Sequence, residues 1–300
     1  MIRPGAHASA TWDGPWLDRV RTLARPGTHL GSTWDELWRD SARAEVSAGL
    51  AKADARRDKS GMTFAPLGDS AVVVTLGQSI EVSTLDRVRA IAAAVESARA
   101  SGILDVVPAY TTVTVFYDPV AFTTGPTSVY EHVVAFLRER IEAAERGWLG
   151  LIGTNREPKP TAAKTVEIPV CYGGEFGPDL EEVARHCRLS VREVIAQHTA
   201  GKYVVQAIGF APGFCYLGGL ASALHTPRRP TPRPAVTPGS VGIGWQHTGV
   251  YPAATPGGWQ LIGRTPLTMF DVEREHPSLL AVGDHVKFRS IKPEEFTAWK

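Results

Sequence analysis

Three short stretches carry the residue types from which a small-molecule site is built. Between Gly209 and Gly219 the chain reads Gly-Phe-Ala-Pro-Gly-Phe-Cys-Tyr-Leu-Gly-Gly, setting Phe210, Phe214 and Tyr216 around a Pro-Gly turn. Aromatic side chains beside exposed backbone suit the wall of a small-ligand pocket. The same rings could equally complete a hydrophobic core, and composition leaves both readings open. Next, residues 226–234 alternate proline with Arg228, Arg229 and Arg233. Such a strip is extended and holds its guanidinium groups apart. Either it is a solvated surface, or Arg228 and Arg233 grip a carboxylate or phosphate through forked hydrogen bonds. Third, Gln246-His247-Thr248-Gly249-Val250-Tyr251 is followed by Thr255-Pro256-Gly257-Gly258-Trp259. These polar and aromatic groups fall on turns, where a rigid scaffold presents binding groups. His247 is either a hydrogen-bonded turn residue or a proton carrier, with an ordinary pKa of about 6.5.

Other chemistries fit poorly. Residues 258–265, Gly-Trp-Gln-Leu-Ile-Gly-Arg-Thr, imitate a phosphate-binding loop with Arg264 for lysine. That loop must open a helix so that backbone N–H groups face the phosphate, and Trp259 to Ile262 read as strand. Cys215 is either a nucleophile served by His198, His225 or His247, or a small buried residue between two aromatics. No HExxH or comparable metal-ligand cluster occurs. Three cysteines without CxxC spacing argue against a disulfide framework or structural zinc, and point to a reducing cytoplasm. A net charge of +1, from 32 basic and 31 acidic residues, gives no field for nucleic acid or an anionic membrane. No stretch approaches the roughly 20 apolar residues of a membrane span, and the start lacks the pattern of a secretory signal.

These groups need a scaffold, and 300 residues with 43% apolar content suffice for two compact domains and a tail. From Thr33 as N-cap, Trp34, Leu37, Trp38, Val46 and Leu50 follow a helical stripe. The first sixty residues are either an extension carrying that helix, or precede a natural start at Met62. Beyond Met62, strands are expected at 71–76 and 111–117, and helices at 84–100 and 129–146, as in a small α/β layer. Residues 150–164, with Pro158 and Pro160, have linker composition. A strand at 166–170 and helices at 179–187 and 190–199 come next, the second helix opened by a Ser190/Glu193 capping box. Thereafter short apolar runs at 204–208, 241–243, 260–262, 267–271 and 285–288, broken by Gly and Pro, favour a barrel or sandwich.

The run GFAPGFCYLGGL, then PRRPTPRPAVTPGSVGIG and TGVYPAATPGGWQLIGRTPLTMFD, resembles the family that unites the B-type 5-oxoprolinase subunits, KipI and allophanate hydrolase subunit 1. The likeness extends to PLGDSAVVV, VPAYTTVTVFYDP, IPVCYGGEFGPDLEEVA and GDHVKF, about residues 62–292. It implies an α+β chain: an extension over 1–61, a small α/β domain over 62–150, a linker over 151–164, a cyclophilin-like β-barrel over 165–292, and a tail over 293–300. It also implies a subunit, inactive alone, that works with A-type and C-type partners. There ATP, with Mg²⁺, activates the lactam carbonyl of 5-oxoproline and water opens the ring to glutamate. B and C types look like two halves of a chain that is fused in other bacteria. Two other readings are an allophanate-hydrolase-like amidohydrolase component and a non-catalytic inhibitor of a sensor histidine kinase. For the enzyme, Arg228 and Arg233 are expected to hold anionic groups, and His247, Tyr251 and His198 to orient the lactam. Phe210, Phe214, Tyr216 and Trp259 are expected to wall the site, with Thr255 and Gly257 on its turns. Trp245, His247 and Cys215 depart from the family's usual small residues and glutamine, and are expected to line the pocket.

Overall fold

The computed structural model describes residues 61–123, 127–149 and 163–299, without the side chains of 147–149. The tryptophan-rich helix expected from Thr33 and most of the expected linker lie outside these residues.

Alternation builds the first layer. Strands β1 (Thr63–Leu67), β2 (Ala71–Thr75), β3 (Ile103–Ala109) and β4 (Thr112–Tyr117) form an antiparallel sheet in the order β1-β2-β4-β3. Val72, Val74, Val106, Val113, Val115 and Tyr117 are buried on one face. Two helices cover them. In α1 (Val82–Ser97), Leu85, Val88, Ile91, Ala92 and Val95 form a helical stripe. In α2 (Val129–Leu149), Val133, Leu137 and Ile141 recur every fourth residue. These side chains make one core.

The second layer is a closed barrel. Its strands are β5 (Thr165–Tyr172), β6 (Tyr203–Ile208), β7 (Cys215–Gly218), β9 (Ser240–Gly244), β10 (His247–Val250), β12 (Gln260–Arg264) and β13 (His285–Ile291). They close in the order β10-β7-β6-β13-β5-β12-β9, with β5 and β13 parallel and all other pairs antiparallel. A separate ribbon pairs β8 (Arg233–Val236) with β11 (Thr255–Gly257). Helices α3 (Leu180–Cys187) and α4 (Val191–Ala200) contribute Leu180, Val183, Ala184 and Val194 to the barrel core. Both halves of the Ser190/Glu193 capping box are present. The expected α+β class, with a closed β-barrel, is observed. No described helix is long and apolar enough to cross a membrane.

Some expectations change. Residues 267–271 make only an isolated bridge, Phe270 to Ser278, rather than a strand. Pro266 has no backbone donor, Leu267 N–H donates to Thr265 Oγ1, and Glu273 N–H donates to the Asp271 carboxylate. Such local bonds compete with a ladder. Residues 293–298, expected as tail, form helix α5 (Pro293–Ala298), whose Phe296 packs on Phe176.

Sheet and barrel belong to one compact unit. The β3–β4 turn meets the barrel where Tyr110 N–H donates to Gln206 O at 2.8 Å. Arg89 of α1 lies where any Cβ on Gly283 would fall, within 2.5 Å of three of its side-chain atoms. Gly283, at φ +89°, is therefore required for that approach.

Candidate functional site: an aromatic box on the outer barrel wall

Successive side chains of a strand point to opposite faces, and this decides which residues can form a site. On β7, Cys215 and Leu217 belong to the barrel core, whereas Tyr216 and the preceding Phe214 belong to a second cluster. On β10, Val250 faces the core and Tyr251, just beyond it, joins the second cluster. On β12, Ile262 faces the core and Leu261 the second cluster, together with Trp259. The second cluster therefore lies on the outer wall. Gly244 and Gly249 make room for it: a Cβ on Gly244 would fall 2.6 Å from the Trp259 ring, and one on Gly249 3.2 Å from it.

The rings meet edge to face. Phe214 has its centroid 5.1 Å from Tyr251, 5.3 Å from Trp259 and 4.9 Å from Tyr216. Phe210 stands 5.3 Å from Phe214 and is 42% exposed at the rim. The turn that sets these rings follows from its residues. Phe214 N–H donates to Ala211 O at 2.9 Å, with Pro212 and then Gly213 at φ +80° between them. Proline followed by a positive-φ glycine is the type II turn signature.

The arginine strip crosses this box and is pinned on both sides of Arg228. Trp245 N–H donates to Thr226 O, Gln260 Nε2 to Pro227 O, and Arg229 N–H to Gly258 O. The guanidinium carbon of Arg228 lies 5.9 Å from the Trp259 ring centroid, in cation–π range. Its charge also acts on Tyr110, Tyr216, His247 and Tyr251. Arg228 is thus the cation of the box.

Arg233 has a different position from the one expected. Its Nη2 and the Nη1 of Arg229 both donate to Asp179 Oδ1, at 2.7 and 3.0 Å, and Leu261 N–H donates to Oδ2 at 2.7 Å. The strip does not hold these two guanidinium groups apart, because a buried carboxylate gathers them. Asp179 precedes α3 at the N-cap position, yet its side chain does not cap that helix. Arg233 still adds positive potential at Tyr251. On the β11 side, Thr255 Oγ1 is a buried polar atom with no protein partner, and Gly257 lies against Tyr251, whose hydroxyl a Cβ there would approach to 2.6 Å.

Burial governs protonation. It pushes the Tyr251 hydroxyl up to about 12 and raises those of Tyr216 and Tyr110, so all three stay protonated donors at neutral pH. Burial first, then Arg228 and His225, lower the pKa of His247, whose imidazole is therefore neutral at pH 7. The box combines one fixed cation, protonated hydroxyls and a neutral imidazole.

His198 and Cys215 lie on the other side of the wall. His198 is 0% exposed and bonded to Tyr172 Oη at 2.8 Å and to Thr248 Oγ1 at 3.0 Å. The structure does not bring it to the box. Cys215 is also 0% exposed, and burial raises its thiol to about 11, far from a thiolate nucleophile. Contrary to expectation it does not face the box, because its register points inward. His247 does face it, its ring against Tyr216, and Trp245 stands two residues away, 61% exposed.

Sequence reasoning overlooked Tyr110 and Asp179 as site residues. Tyr110, from the first sheet, lies 5.7 Å from the His247 ring and 6.3 Å from Tyr216. It adopts φ +51°, as Phe210 adopts +71° and Trp245 +55°. Left-handed backbone costs a non-glycine residue on the order of 1 kcal/mol. Two of these aromatic residues, Tyr110 and Phe210, therefore hold unfavourable conformations in ring contact with the box. No sequence signal marks this, since tyrosine and tryptophan are not residues that favour positive φ.

A closed barrel bearing an outward aromatic-cationic box, docked to a small antiparallel α/β layer, defines the class of protein. Residues 62–280 match the family described as carboxyltransferase domain, subdomain C and D. The chain belongs to that family. It is 45% identical over 234 residues to a Bacillus subtilis (strain 168) protein named as the B subunit of 5-oxoprolinase, covering 78% of this chain and 95% of the relative. A protein of the same name from Escherichia coli O157:H7 is 40% identical over 222 residues, covering 74% of this chain and 93% of the relative. Among solved structures, TTHA0988 aligns with a TM-score of 0.60 at 34% identity, covering 74% of this chain. This chain spans 40% of the TTHA0988 chain.

Proposed function

We propose that the chain is the B-type member of a 5-oxoprolinase complex and that its aromatic box binds 5-oxoproline. The observation that carries this reading is Arg228, set over Trp259 and acting electrostatically on Tyr110, Tyr216, His247 and Tyr251. A small cyclic amide with one carboxylate matches that arrangement. The carboxylate pairs with the Arg228 guanidinium, and the ring is enclosed by aromatic edges. A protonated tyrosine hydroxyl, that of Tyr251 or Tyr216, donates to the lactam carbonyl oxygen and stabilises charge developing there. Neutral His247 accepts a proton from the water that opens the ring. Arg233 reinforces the positive potential and, with Arg229 and Asp179, holds the strip in place.

ATP and Mg²⁺ supply activation of the carbonyl in the reaction the resemblance implies. The residues of this chain do not fit a phosphate loop at 258–265: residues 260–264 are strand β12, whose backbone is paired with β9 and β5. Among the described residues no group of three metal-ligating side chains occurs. We therefore assign the nucleotide to the assembled complex with A-type and C-type partners, in a reducing cytosol that suits three free cysteines.

The test is ADP release with and without 5-oxoproline, by this chain alone and with both partners. The reading predicts substrate-dependent release only in the full mixture. No release from a mixture shown to be assembled would refute it.

A further inference from the structure

Tyr110 belongs to neither of the two large cores. It is nonetheless held firmly. Its N–H donates to Gln206 O at 2.8 Å, and its turn partner Thr111 accepts from Leu76 N–H at 2.8 Å. It occupies a two-residue turn between Ala109 and Thr112, which are paired across β3 and β4. Tyrosine at φ +51° is unfavourable there, where glycine or asparagine suits such a hairpin turn. Core packing does not account for this residue. Its ring instead faces His247 edge-on, stands beside Tyr216, and feels the charge of Arg228.

We infer that Tyr110 is a ligand-contacting wall of the box, supplied by the first sheet, and that it determines the ring size the site accepts. This rests on the reading of the box as a 5-oxoproline site. Trp259, Phe214 and Tyr251 come from the barrel, as do His247 and Tyr216. Tyr110 comes from the other layer and encloses the His247–Tyr216 side. Docking of the sheet on the barrel, through Tyr110 on Gln206 and Arg89 on Gly283, therefore completes the site. A ligand larger by one methylene must press against a ring whose main chain is fixed by that bond and turn and which already packs on His247 and Tyr216.

The experiment compares Tyr110→Ala and Tyr110→Phe with wild type in the assembled complex, using 5-oxoproline and its six-membered homologue, 6-oxopiperidine-2-carboxylate. Wild type should prefer the five-membered ring by about tenfold or more in kcat/KM. Tyr110→Phe should keep that ratio, and Tyr110→Ala should lose most of it, mainly by raising KM for 5-oxoproline. An unchanged ratio in Tyr110→Ala overturns the inference.

A second measurement needs no ligand. NMR titration of His247 should show its depressed pKa rising toward the ordinary value in Tyr110→Ala and staying depressed in Tyr110→Phe. Arg228, His225, Tyr110 and Tyr216 are the groups that face this imidazole, and only one of them changes. A His247 pKa unmoved by Tyr110→Ala places the tyrosine outside the box and overturns the inference. If wild-type complex turns over neither compound, the 5-oxoproline reading falls while this titration still decides whether Tyr110 is a wall.

Discussion

Acidification should destabilise this protein through His198. The imidazole bridges Tyr172 and Thr248 in the barrel core, and Thr248 Oγ1 itself donates to Gly242 O at 2.9 Å. Because that hydroxyl hydrogen goes to Gly242, Nε2 of His198 must carry the proton donated to Thr248, and Nδ1 accepts from Tyr172. The network is satisfied by a neutral ring, and burial drives its pKa to about 3. The unfolded chain takes up this proton near the ordinary 6.5. Between these values only the unfolded state binds it, so stability is complete above pH 6.5 and falls as pH drops toward 3. Each pH unit removes about 1.4 kcal/mol, so two units remove about 3 kcal/mol, a large share of a typical folding free energy. Urea unfolding of wild type and His198→Gln should be followed from pH 7 to about pH 4.5. The variant lacks the titration, so any stability advantage of wild type should shrink by about that amount. A difference that stays constant with pH would mean that folded His198 titrates normally, and would refute the buried neutral network.

Other outcomes follow from the wall of the barrel. Cys215→Ala should leave turnover of the assembled complex unchanged, and the native Cys215 thiol should resist maleimide, as mass spectrometry would show. Asp179→Ala should destabilise the chain by about 2–3 kcal/mol in urea unfolding, below the value for a fully buried pair because Arg229 and Arg233 keep 37% and 22% of their side chains exposed. It should also lower turnover by loosening the strip around Arg228. Gly244→Ala places a methyl against Trp259, and should cost about 1–3 kcal/mol and alter the near-ultraviolet circular dichroism of that ring.

Periodic burial was readable in the sequence wherever it was regular. The stripe of α1, the fourfold repeat of α2, the valines of β2 and the Ser190/Glu193 box are local patterns, and the structure repeats them. The aromatic stretch was also recognisable as a unit. Its two sides were not. Cys215 and Tyr216 are neighbours in sequence and lie on opposite faces of one wall, a distinction that depends on strand register. Strands β7, β8, β10 and β11 are short and rich in glycine, proline or polar residues, so their propensity is weak and pairing alone defines them. Asp179 and Tyr110 act on residues far away in sequence, at 229 and 233 for one and at 216 and 247 for the other. Only the closed barrel and the docked sheet bring these residues together.

The central claim is that Arg228 anchors the substrate carboxylate in the outer-wall box. Its most direct test is 5-oxoproline-dependent ADP release by the assembled complex carrying Arg228→Ala, with assembly verified by size-exclusion chromatography. Loss of a charge-assisted pair contributing about 1.5–3 kcal/mol predicts a fall in kcat/KM of about 10- to 150-fold, with the complex intact. Wild-type kcat/KM in that variant would contradict the claim and remove the box from the substrate's path.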